Sequence, residues 1–494
     1  MDTPDGDRVG GIEKIKAVRI EKLEKLTEAG VNPYPYRFEV SHKVEDVARL
    51  ETELTEAETV VALAGRVMAL RGHGATTFGH IEDRSGRLQF YARKDALGPD
   101  SYKNFKLVEV GDMIGIRGNV FRTKTGELTV RVGEYEVLSK AIRPLPEKWH
   151  GLQDKELRYR QRYVDLIVNP QVREIFEKRS RLIHTMRRYL LDRGYLEVET
   201  PILQPIYGGA SARPFMTHHN ALDLDLYLRI ADELYLKRLI VGGFEKVFEF
   251  CKDFRNEGVD RSHNPEFTMM ECYSAYEDYM DYMEMVEDMM RVVATELGED
   301  GKITYQGNQI DFNKPWRRVR FFEALEEATG VDFRSMEENV ILDAAARYGI
   351  ETGKIATPAK GLDLIFGEVV EPQLLQPTFV YDYPKALSPL AKDHRSKPGL
   401  VERFEPFIGG FEVGNAFSEL NDPREQRRRF EEQAAMRSRG DEEAQVVDED
   451  YLRALEYGMP PTAGLGLGVD RLAMIFTDSR SIREVLFFPQ MRPE

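Results

Sequence analysis

The sequence has few cysteines and no long apolar run, and each absence excludes a class of protein. Only Cys251 and Cys272 occur among 494 residues, and no C-x-x-C pair is present. Neither a disulfide framework nor a structural zinc site of paired cysteines is expected, and a reducing compartment fits this usage. No apolar stretch approaches the roughly 18 residues of a membrane-spanning helix, and the polar, acidic N-terminus is unlike a signal peptide. We therefore expect a soluble, cytoplasmic protein.

Positive charge is also in deficit. There are 69 Lys and Arg against 85 Asp and Glu, which gives a formal net charge of −16. Such a balance excludes indiscriminate binding of nucleic acid or acidic membrane by the whole surface, although a local basic face is compatible with it. The hydrophobic share of 42% is sufficient for packed cores, so the chain is expected to be globular and, at this length, to form about three domains.

The common nucleotide-binding loops are absent as well. No G-x-x-x-x-G-K-[ST] occurs, and GLGLGVDR at 464–471 has the spacing G-x-G-x-G, not the G-x-G-x-x-G of a dinucleotide fold. As a strand, this segment has three glycines on one face and apolar side chains on the other. A bare face suits a flat ligand lying against a sheet. We expect Asp470 to cap a following helix and Arg471 to stand at the edge of the glycine face; a surface salt bridge of Arg471 is the alternative.

The pattern of apolar, polar and turn-forming residues changes along the chain and predicts an α+β protein. An amphipathic helix that stops at Gly30 lies in an N-terminal helical extension, 1–58. Five short alternating segments predict a β-barrel of the OB type over 59–143, and a proline-bearing linker follows over 144–170. In the remainder, 171–494, hairpins dominate without a βαβ rhythm, which favours an antiparallel sheet flanked by helices.

The segment FRNEGVDRSHNPEFTMMECY at 254–273 is the most specific in the chain. It predicts a hairpin whose return strand has Phe267, Met269, Glu271 and Tyr273 on one face, with Cys272 on the opposite, core face. A carboxylate and a tyrosine beside an aromatic ring and a methionine are typical of a pocket that stacks a base and holds a polar ligand. The cations near the turn of the hairpin would pair with phosphates.

Three motifs in this order resemble the class II aminoacyl-tRNA synthetases, and closely those of the bacterial lysyl type. They are RRYLLDRGYLEVETPIL (187–203), the hairpin 254–273, and GLGLGVDRLAMIF (464–476). Features of the lysyl type stand between them: GGASARPF, RIADELYLKRLIVGG and FEPFIGGFEVGNAFSELND. The resemblance covers nearly the whole chain. It implies a homodimer, an OB-fold anticodon-binding domain, a class II catalytic domain, and ligation of lysine to tRNA(Lys) with ATP.

The resemblance implies roles in ATP binding. Arg255 would contact the α-phosphate and the amino acid's carboxylate, Phe267 would stack on adenine, and Arg471 would cover the other side of the ring and reach the γ-phosphate; Arg255 and Arg471 are the predicted catalytic residues. Glu405 and Glu412 match the family's Mg²⁺ ligands, and their place on either side of IGG fits a tight hairpin. The other predicted ATP-binding residues are Glu257, His263, Met269, Gly466 and Gly468.

The amino-acid pocket can be argued from charge. If the hairpin and the strand in GNAFSE line one pocket, Glu271 and Glu419 give it two carboxylates, which complement an ammonium side chain and repel aspartate or glutamate by several kcal/mol. A solvated strand-end charge is the alternative for Glu419 alone. The resemblance adds Glu233, with the backbone near Gly209, at the α-amino end. The predicted lysine-binding residues are Gly209, Glu233, Arg255, Glu271, Tyr273, Asn415, Phe417 and Glu419.

In the barrel, Phe78 and Gln89 match positions where the family reads anticodon bases by stacking and hydrogen bonds, and Arg66 and Glu127 are expected to assist. A core aromatic is the alternative for Phe78. Ala75 stands where relatives of the family usually have a lysine, so the resemblance does not extend to the phosphate contacts of that loop.

Three other functions remain open at this stage. An aspartyl- or asparaginyl-type synthetase shares the fold, but its pocket needs a cation or an amide for the substrate side chain. An enzyme that ligates lysine to a protein would lack the N-terminal barrel. A non-catalytic RNA-binding or signalling protein would not need Arg255, Glu405, Glu412 and Arg471 intact.

Overall fold

The structure is a computed structural model, and it describes residues 5–146, 152, 154–355, 357–438 and 446–493. The chain divides into two compact units, Met1–Gln153 and Asp154–Glu494. The predicted linker at 144–170 overlaps this division. Within the linker, residues 147–151 and 153 lie outside the described residues, whereas Leu152 is described. The second half of the predicted linker consists of helices that belong to the next unit. None of the helices in the described part of the chain is long and apolar enough to cross a membrane.

The first unit contains the predicted five-stranded barrel. Its helices are α1 (Asp5–Glu28), α2 (Val44–Arg49), α3 (Glu51–Glu56), α4 (Lys94–Leu97) and α5 (Pro99–Phe105). Its strands are β1 (Val60–His73), β2 (Thr76–Glu82), β3 (Arg87–Arg93), β4 (Met113–Arg122) and β5 (Leu128–Ser139). They close in the order β1-β2-β3-β5-β4, with β3 and β5 parallel. Inward side chains such as Val61, Phe90 and Val130 fill the barrel because alternate residues of each strand point inward.

The second unit contains the helices that were expected to flank its sheet. They are α6 (Lys155–Arg160), α7 (Arg162–Val168), α8 (Pro170–Leu191), α9 (Glu233–Val241), α10 (Tyr279–Leu297), α11 (Phe321–Thr329), α12 (Glu338–Arg347), α13 (Pro358–Ile365), α14 (Pro423–Ser438), α15 (Glu449–Glu456), α16 (Val469–Phe476) and α17 (Ile482–Val485). Short 3₁₀ or π segments cover Thr352–Lys354, Phe366–Val370, Glu371–Gln373 and Lys385–Leu387.

A nine-stranded sheet forms the centre of the second unit. Its members are β6 (Leu196–Glu197), β10 (Lys246–Phe254), β11 (Glu266–Ala275), β14 (Arg317–Arg320), β15 (Thr378–Pro384), β16 (Leu400–Ile408), β17 (Phe411–Glu412), β18 (Gly414–Ser418) and β19 (Thr462–Gly468). The order is β14-β15-β16-β18-β19-β11-β10-β6, with β17 paired to β16. The predicted antiparallel sheet is confirmed, although the pairs at both ends, β14 with β15 and β10 with β6, are parallel. Smaller sheets are formed by β7 (Leu203–Gln204), β8 (Met216–His219) and β9 (Leu224–Leu228), and by β12 (Lys302–Tyr305) and β13 (Asn308–Asp311).

The two faces of the sheet differ, because side chains alternate along each strand. Met270, Cys272, Leu465 and Leu467 point into one large core, which α8, α10 and α16 complete. The prediction that Cys272 is a core residue is confirmed. On the other face, α9 and α11 to α13 pack against the sheet. Between them, the polar residues of β11 and the glycines of β19 share one surface.

One prediction about this region was wrong. Asp470 does not cap α16; Gly468 is the capping residue, and Asp470 lies in the first turn, 2% exposed. Its carboxylate accepts hydrogen bonds from the backbone N–H of Thr268 (2.8 Å) and from Arg179 (2.7 Å). The side chain thus joins the helix to β11 and α8, and these partners lie about two to three hundred residues away in the sequence.

Candidate active site

Two glycines of β19, Gly464 and Gly466, each lie between paired residues of the neighbouring strands β11 and β18. Glu271, Gly466 and Asn415 are directly paired in one row, and Tyr273, Gly464 and Phe417 in the next. Each glycine therefore has a functional side chain of a neighbouring strand on either side. The strand β19 therefore presents bare backbone between the side chains of β11 and β18.

The space above these glycines is occupied by the residues predicted to bind lysine. A methyl group on Gly464 would lie 2.1 Å from Oε1 of Glu419 and 2.4 Å from Cε1 of Tyr273. On Gly466 it would lie 3.1 Å from Met269 Cε. On Gly468 it would meet nothing closer than 3.7 Å. The space available for a side chain on β19 is therefore smallest near Glu419 and increases towards Arg471.

The closed end of the pocket contains a buried ion-pair cluster. Lys237 is 0% exposed, and its ammonium contacts the carboxylates of both Glu233 and Glu419. The same Nζ lies 5.3 Å from the centre of the Phe417 ring. Gly209 adopts φ +89° and lies next to Glu233. A methyl group added to Gly209 would be 3.2 Å from Cβ of Glu233. Gly209, Glu233 and Glu419 are thus brought to one place from three distant segments.

Burial is the main influence on the pKa values of the acidic side chains in this pocket. It raises the pKa of Glu271 well above its usual range, and the neighbouring carboxylates of Asp232 and Asp253 raise it further. Burial also raises the pKa of Glu419, against the opposing effect of Lys237. For Lys237, burial disfavours the ammonium form, but Glu233 and Glu419 outweigh it, so the pKa of Lys237 rises. The pocket is rich in carboxylate groups, and Lys237 lies among them as an internal cation.

Two arginines, Arg255 and Arg471, lie at the end of this surface that is predicted to bind the nucleotide. The guanidinium of Arg255 lies 4.9 Å from the centre of the Phe267 ring, and its buried Nε makes no hydrogen bond within the described part of the chain. Arg471 donates to the carbonyl oxygen of Glu412 (2.7 Å), and its Nη2 is 3.3 Å from His263 Nε2. Arg255 and Arg471 therefore come from opposite sides of the sheet surface that Phe267 and the glycines line. Glu257 is exposed on the hairpin loop.

The two predicted metal ligands are joined by the expected turn. Gly409 and Gly410 have φ values of +65° and +79°, which only glycine adopts readily, and they connect β16 to β17. Glu405 accepts hydrogen bonds from Tyr383 (2.5 Å) and Arg403. Burial raises the pKa of Glu405 to about 7, and the nearby charge of Glu412 contributes to this rise.

In the barrel, three of the four predicted anticodon residues form one cluster on the outer face. Phe78 is 37% exposed and stacks on Tyr91 with ring centres 4.4 Å apart, so the alternative of a core aromatic is wrong. Gln89 donates to Glu127 (2.6 Å). Arg66 lies on β1 and donates to the carbonyl oxygen of Gly111 (2.7 Å), apart from this cluster.

Comparison with known proteins matches both units. Residues 154–492 fit the family model of tRNA synthetases class II (D, K and N), and residues 61–138 fit that of the OB-fold nucleic acid binding domain. The chain belongs to the class II tRNA synthetases. Lysine--tRNA ligase of Carboxydothermus hydrogenoformans is 53% identical over 98% of this chain and 99% of its own length. The enzymes of the same name from Moorella thermoacetica (53%; 97% and 98%) and Syntrophomonas wolfei subsp. wolfei (52%; 98% and 98%) are similar to the same extent.

Sequence reasoning missed several residues of this class II tRNA synthetase site. Lys237 stands four positions after Glu233 in RIADELYLKRL, a spacing that places both on one helix face and could have revealed the pair. Arg403 donates to Asn415 (2.8 Å) and contacts Glu405, and it is recognisable only from the pairing of β16 with β18. Glu371 accepts from the backbone N–H of Glu412 (3.1 Å), and no sequence spacing connects these two residues.

The donor set of the class II tRNA synthetase fits a divalent cation. The carboxylates of Glu371, Glu405 and Glu412 lie close enough for Glu412 to raise the pKa of both of the others. Mg²⁺ is usually held by one or two carboxylates together with substrate phosphates, and this group offers them. Arg403 and Arg471 supply the cations that balance them in this structure.

Proposed function

We propose that this chain is a lysine–tRNA ligase, which activates L-lysine with ATP and transfers the lysyl group to the 3′ end of tRNA(Lys). The observation that carries the proposal is the fully buried carboxylate of Glu419, at the closed end of the pocket beyond the glycine rows. A buried carboxylate needs a cationic partner, and Glu419 shares the single ammonium of Lys237 with Glu233, so a second ammonium group would be stabilised there. Glu233 and Glu271 add negative charge around it, so the pocket favours an ammonium side chain and disfavours a substrate carboxylate.

The reaction needs no nucleophile from the protein. An oxygen of the lysine carboxylate attacks the α-phosphorus of ATP, the bond from this phosphorus to the bridging oxygen breaks, and pyrophosphate leaves. The terminal ribose hydroxyl of the tRNA then attacks the carbonyl carbon of lysyl-adenylate, and AMP leaves. Catalysis consists of positioning the two reactants and stabilising the charge that develops on the α-phosphate. Arg255, whose Nε is free of protein hydrogen bonds in the described residues, is suited to that role.

The other ATP contacts follow from the same surface. Phe267 offers an aromatic face, and Arg471, which lies beside Gly468 and His263, would close over the base and reach the γ-phosphate. Mg²⁺, when bound, would neutralise phosphate oxygens. Glu405 and Glu412 are the residues that would hold it, and Arg403 orients Glu405 for this purpose. Glu257, Met269 and Gly466 complete the proposed ATP site.

We further propose that Phe78, Gln89, Glu127 and Arg66 read the anticodon, and that the enzyme is a cytoplasmic homodimer. An exposed aromatic beside amide and carboxylate groups suits unstacked bases on an OB surface. Large apolar side chains lie exposed around the end of α8 and the segments that follow, including Leu191, Leu196, Ile202, Leu203 and Phe244. Exposed large apolar side chains concentrated in one part of the chain are expected at a subunit interface. Sedimentation analysis tests the dimer directly.

The activity is tested by the variant Arg255→Ala. Adenylate formation, measured as ATP–pyrophosphate exchange with lysine, is expected to fall by at least about 100-fold, because a charge-stabilising donor is lost. The control is Arg453→Ala, in which an exposed arginine paired with Asp450 is removed; its exchange rate should equal that of the parent protein. Near-normal exchange in Arg255→Ala would contradict the assignment of this residue.

An aspartyl- or asparaginyl-type activity is the alternative within the family. It would require a cation at the closed end of the pocket. Lys237 is a cation there, but both Glu233 and Glu419 already contact it. The remaining charge is negative, and this favours lysine.

A further inference from the structure

A second group of acidic side chains lies next to the amino-acid pocket and is not used by the proposed reaction. Asp232 is the residue before α9, and Cys251 and Asp253 lie two positions apart on β10. They are 0%, 3% and 1% exposed. One ligand atom of each, the Sγ and a carboxylate oxygen of each aspartate, lie within 4.8 Å of one another.

The two aspartates lack the hydrogen bonds that buried carboxylates require. Within the described residues, both oxygens of Asp232 and both oxygens of Asp253 are buried without a hydrogen bond. A buried carboxylate in this condition costs free energy unless it is paired, protonated or bound to a metal ion. Four such oxygens around one thiol therefore point to a missing cationic ligand or to shared protons.

Arg229, a neighbouring cation, meets this need only in part. Arg229 donates to Glu249 (2.8 Å), to the carbonyl oxygen of Lys252 (2.9 Å) and to Thr200 (3.1 Å). Its Nε is 3.5 Å from a carboxylate oxygen of Asp253, which makes an ion pair without a hydrogen bond, because the Nε hydrogen is donated to Lys252. Asp232 has no ion pair among the described residues; its close neighbour is the carboxyl group of Glu271, and a proton shared between these two groups is the alternative to a metal ion.

We propose that Asp232, Cys251 and Asp253 bind a zinc-type divalent transition-metal ion beside the amino-acid pocket. One thiolate with two carboxylates is a ligand set of borderline softness, which suits Zn²⁺ and disfavours Mg²⁺. Ligands of tetrahedral Zn²⁺ lie roughly 3.3–3.8 Å apart, so small rotations would close the cluster. The ion would tie the start of α9, which carries Glu233 and Lys237, to β10.

This site is distinct from the proposed Mg²⁺ site. Glu405 and Glu412 are oxygen donors on β16 and β17, whereas the cluster contains the sulfur of Cys251 and lies on β10. The C-x-x-C pattern that announces a structural zinc site is absent from the sequence, because these ligands come from separate segments of the chain.

Metal analysis and cobalt spectroscopy test the proposal on the full chain. The purified protein is stripped of metal, titrated with Zn²⁺ or Co²⁺, and measured by elemental analysis and near-ultraviolet absorption. We expect one tightly held Zn²⁺ per chain and a thiolate-to-Co²⁺ charge-transfer band. Cys251→Ala should abolish the band, and Asp232→Asn should weaken the affinity at least about 10-fold. Cys272→Ala, which removes the other buried cysteine from the hydrophobic core, is the matched control and should keep both signals.

Two results would overturn the proposal. One is a parent protein that retains no Zn²⁺ and gives no thiolate band with Co²⁺, which would mean that protons alone balance the cluster. The other is a band that survives Cys251→Ala. Because the parent protein alone can give the first result, the test does not depend on the folding of any variant.

Discussion

The substitution Gly464→Ala tests the geometry of the glycine rows. The added methyl group would lie 2.1 Å from Oε1 of Glu419 and 2.4 Å from the ring of Tyr273. Such contacts cannot persist, so the carboxylate must move away from its position above the sheet. Gly464 is not among the residues with positive φ, and an alanine there therefore adds no backbone strain. The perturbation is confined to the pocket.

The magnitude follows from the contact that is displaced. A hydrogen bond to a charged group contributes about 1.5–3 kcal/mol, and about 1.4 kcal/mol corresponds to a factor of ten. We therefore expect the KM for lysine in ATP–pyrophosphate exchange to rise roughly 10- to 150-fold. The KM for ATP should change little, because Phe267 and Arg471 lie towards the other end of the strand.

Gly468→Ala is the comparison in the same strand. Its methyl group would meet nothing closer than 3.7 Å, the distance of an ordinary contact. The KM for lysine should stay close to that of the parent enzyme. Equal increases for lysine in the two variants, or an unchanged KM in Gly464→Ala, would refute the placement of the lysine side chain beside Glu419.

Three further predictions address other parts of the molecule. Lys237→Met leaves Glu233 and Glu419 without their shared cation, and should lower the free energy of unfolding by about 3–5 kcal/mol; lysine should raise the Tm of this variant more than that of the parent, and equal shifts in thermal scans would contradict the charge argument. Phe78→Ala removes a stacking surface worth about 1–3 kcal/mol, so the KM for tRNA in charging assays should rise roughly 5- to 150-fold while lysine-dependent exchange is unchanged; a change in exchange would show that the effect is not confined to the barrel. For Glu402, burial opposes ionisation, but hydrogen bonds from Arg395 and Ser418 outweigh it and lower the pKa below the ordinary 4.5. Its stabilising contribution is therefore present above pH 4.5 and is lost as the pH falls through the folded-state pKa, so urea unfolding of Glu402→Gln should show a weaker loss of stability in acid than the parent.

Much of the secondary structure could be predicted from local sequence patterns. The helical spacing of apolar residues in α10 could be recognised from the sequence. So could its N-cap, Asp278, whose side chain accepts hydrogen bonds from two backbone N–H groups. The alternating faces of β11 and β19 could be recognised as well, because a strand has a strict period of two. The turn at Gly409 and Gly410 was equally plain.

What the sequence could not show depends on pairing between distant segments. Asp470 looks like a helix cap, yet its partners are Thr268 and Arg179. The contact of Arg403 with Asn415 requires the register of β16 with β18. Burial of Lys237 between two carboxylates, and the meeting of Asp232 with Cys251, also arise only when α9 packs on the sheet. The roles of the individual site residues stay predictions until the variants are measured.

The most direct test of the central claim is ATP–pyrophosphate exchange with each proteinogenic amino acid in turn. Because the pocket ends at the buried carboxylate of Glu419 with Glu233 and Glu271 nearby, lysine should support strong exchange, and aspartate and asparagine should support none above background. Strong exchange with aspartate or asparagine and none with lysine would contradict the account.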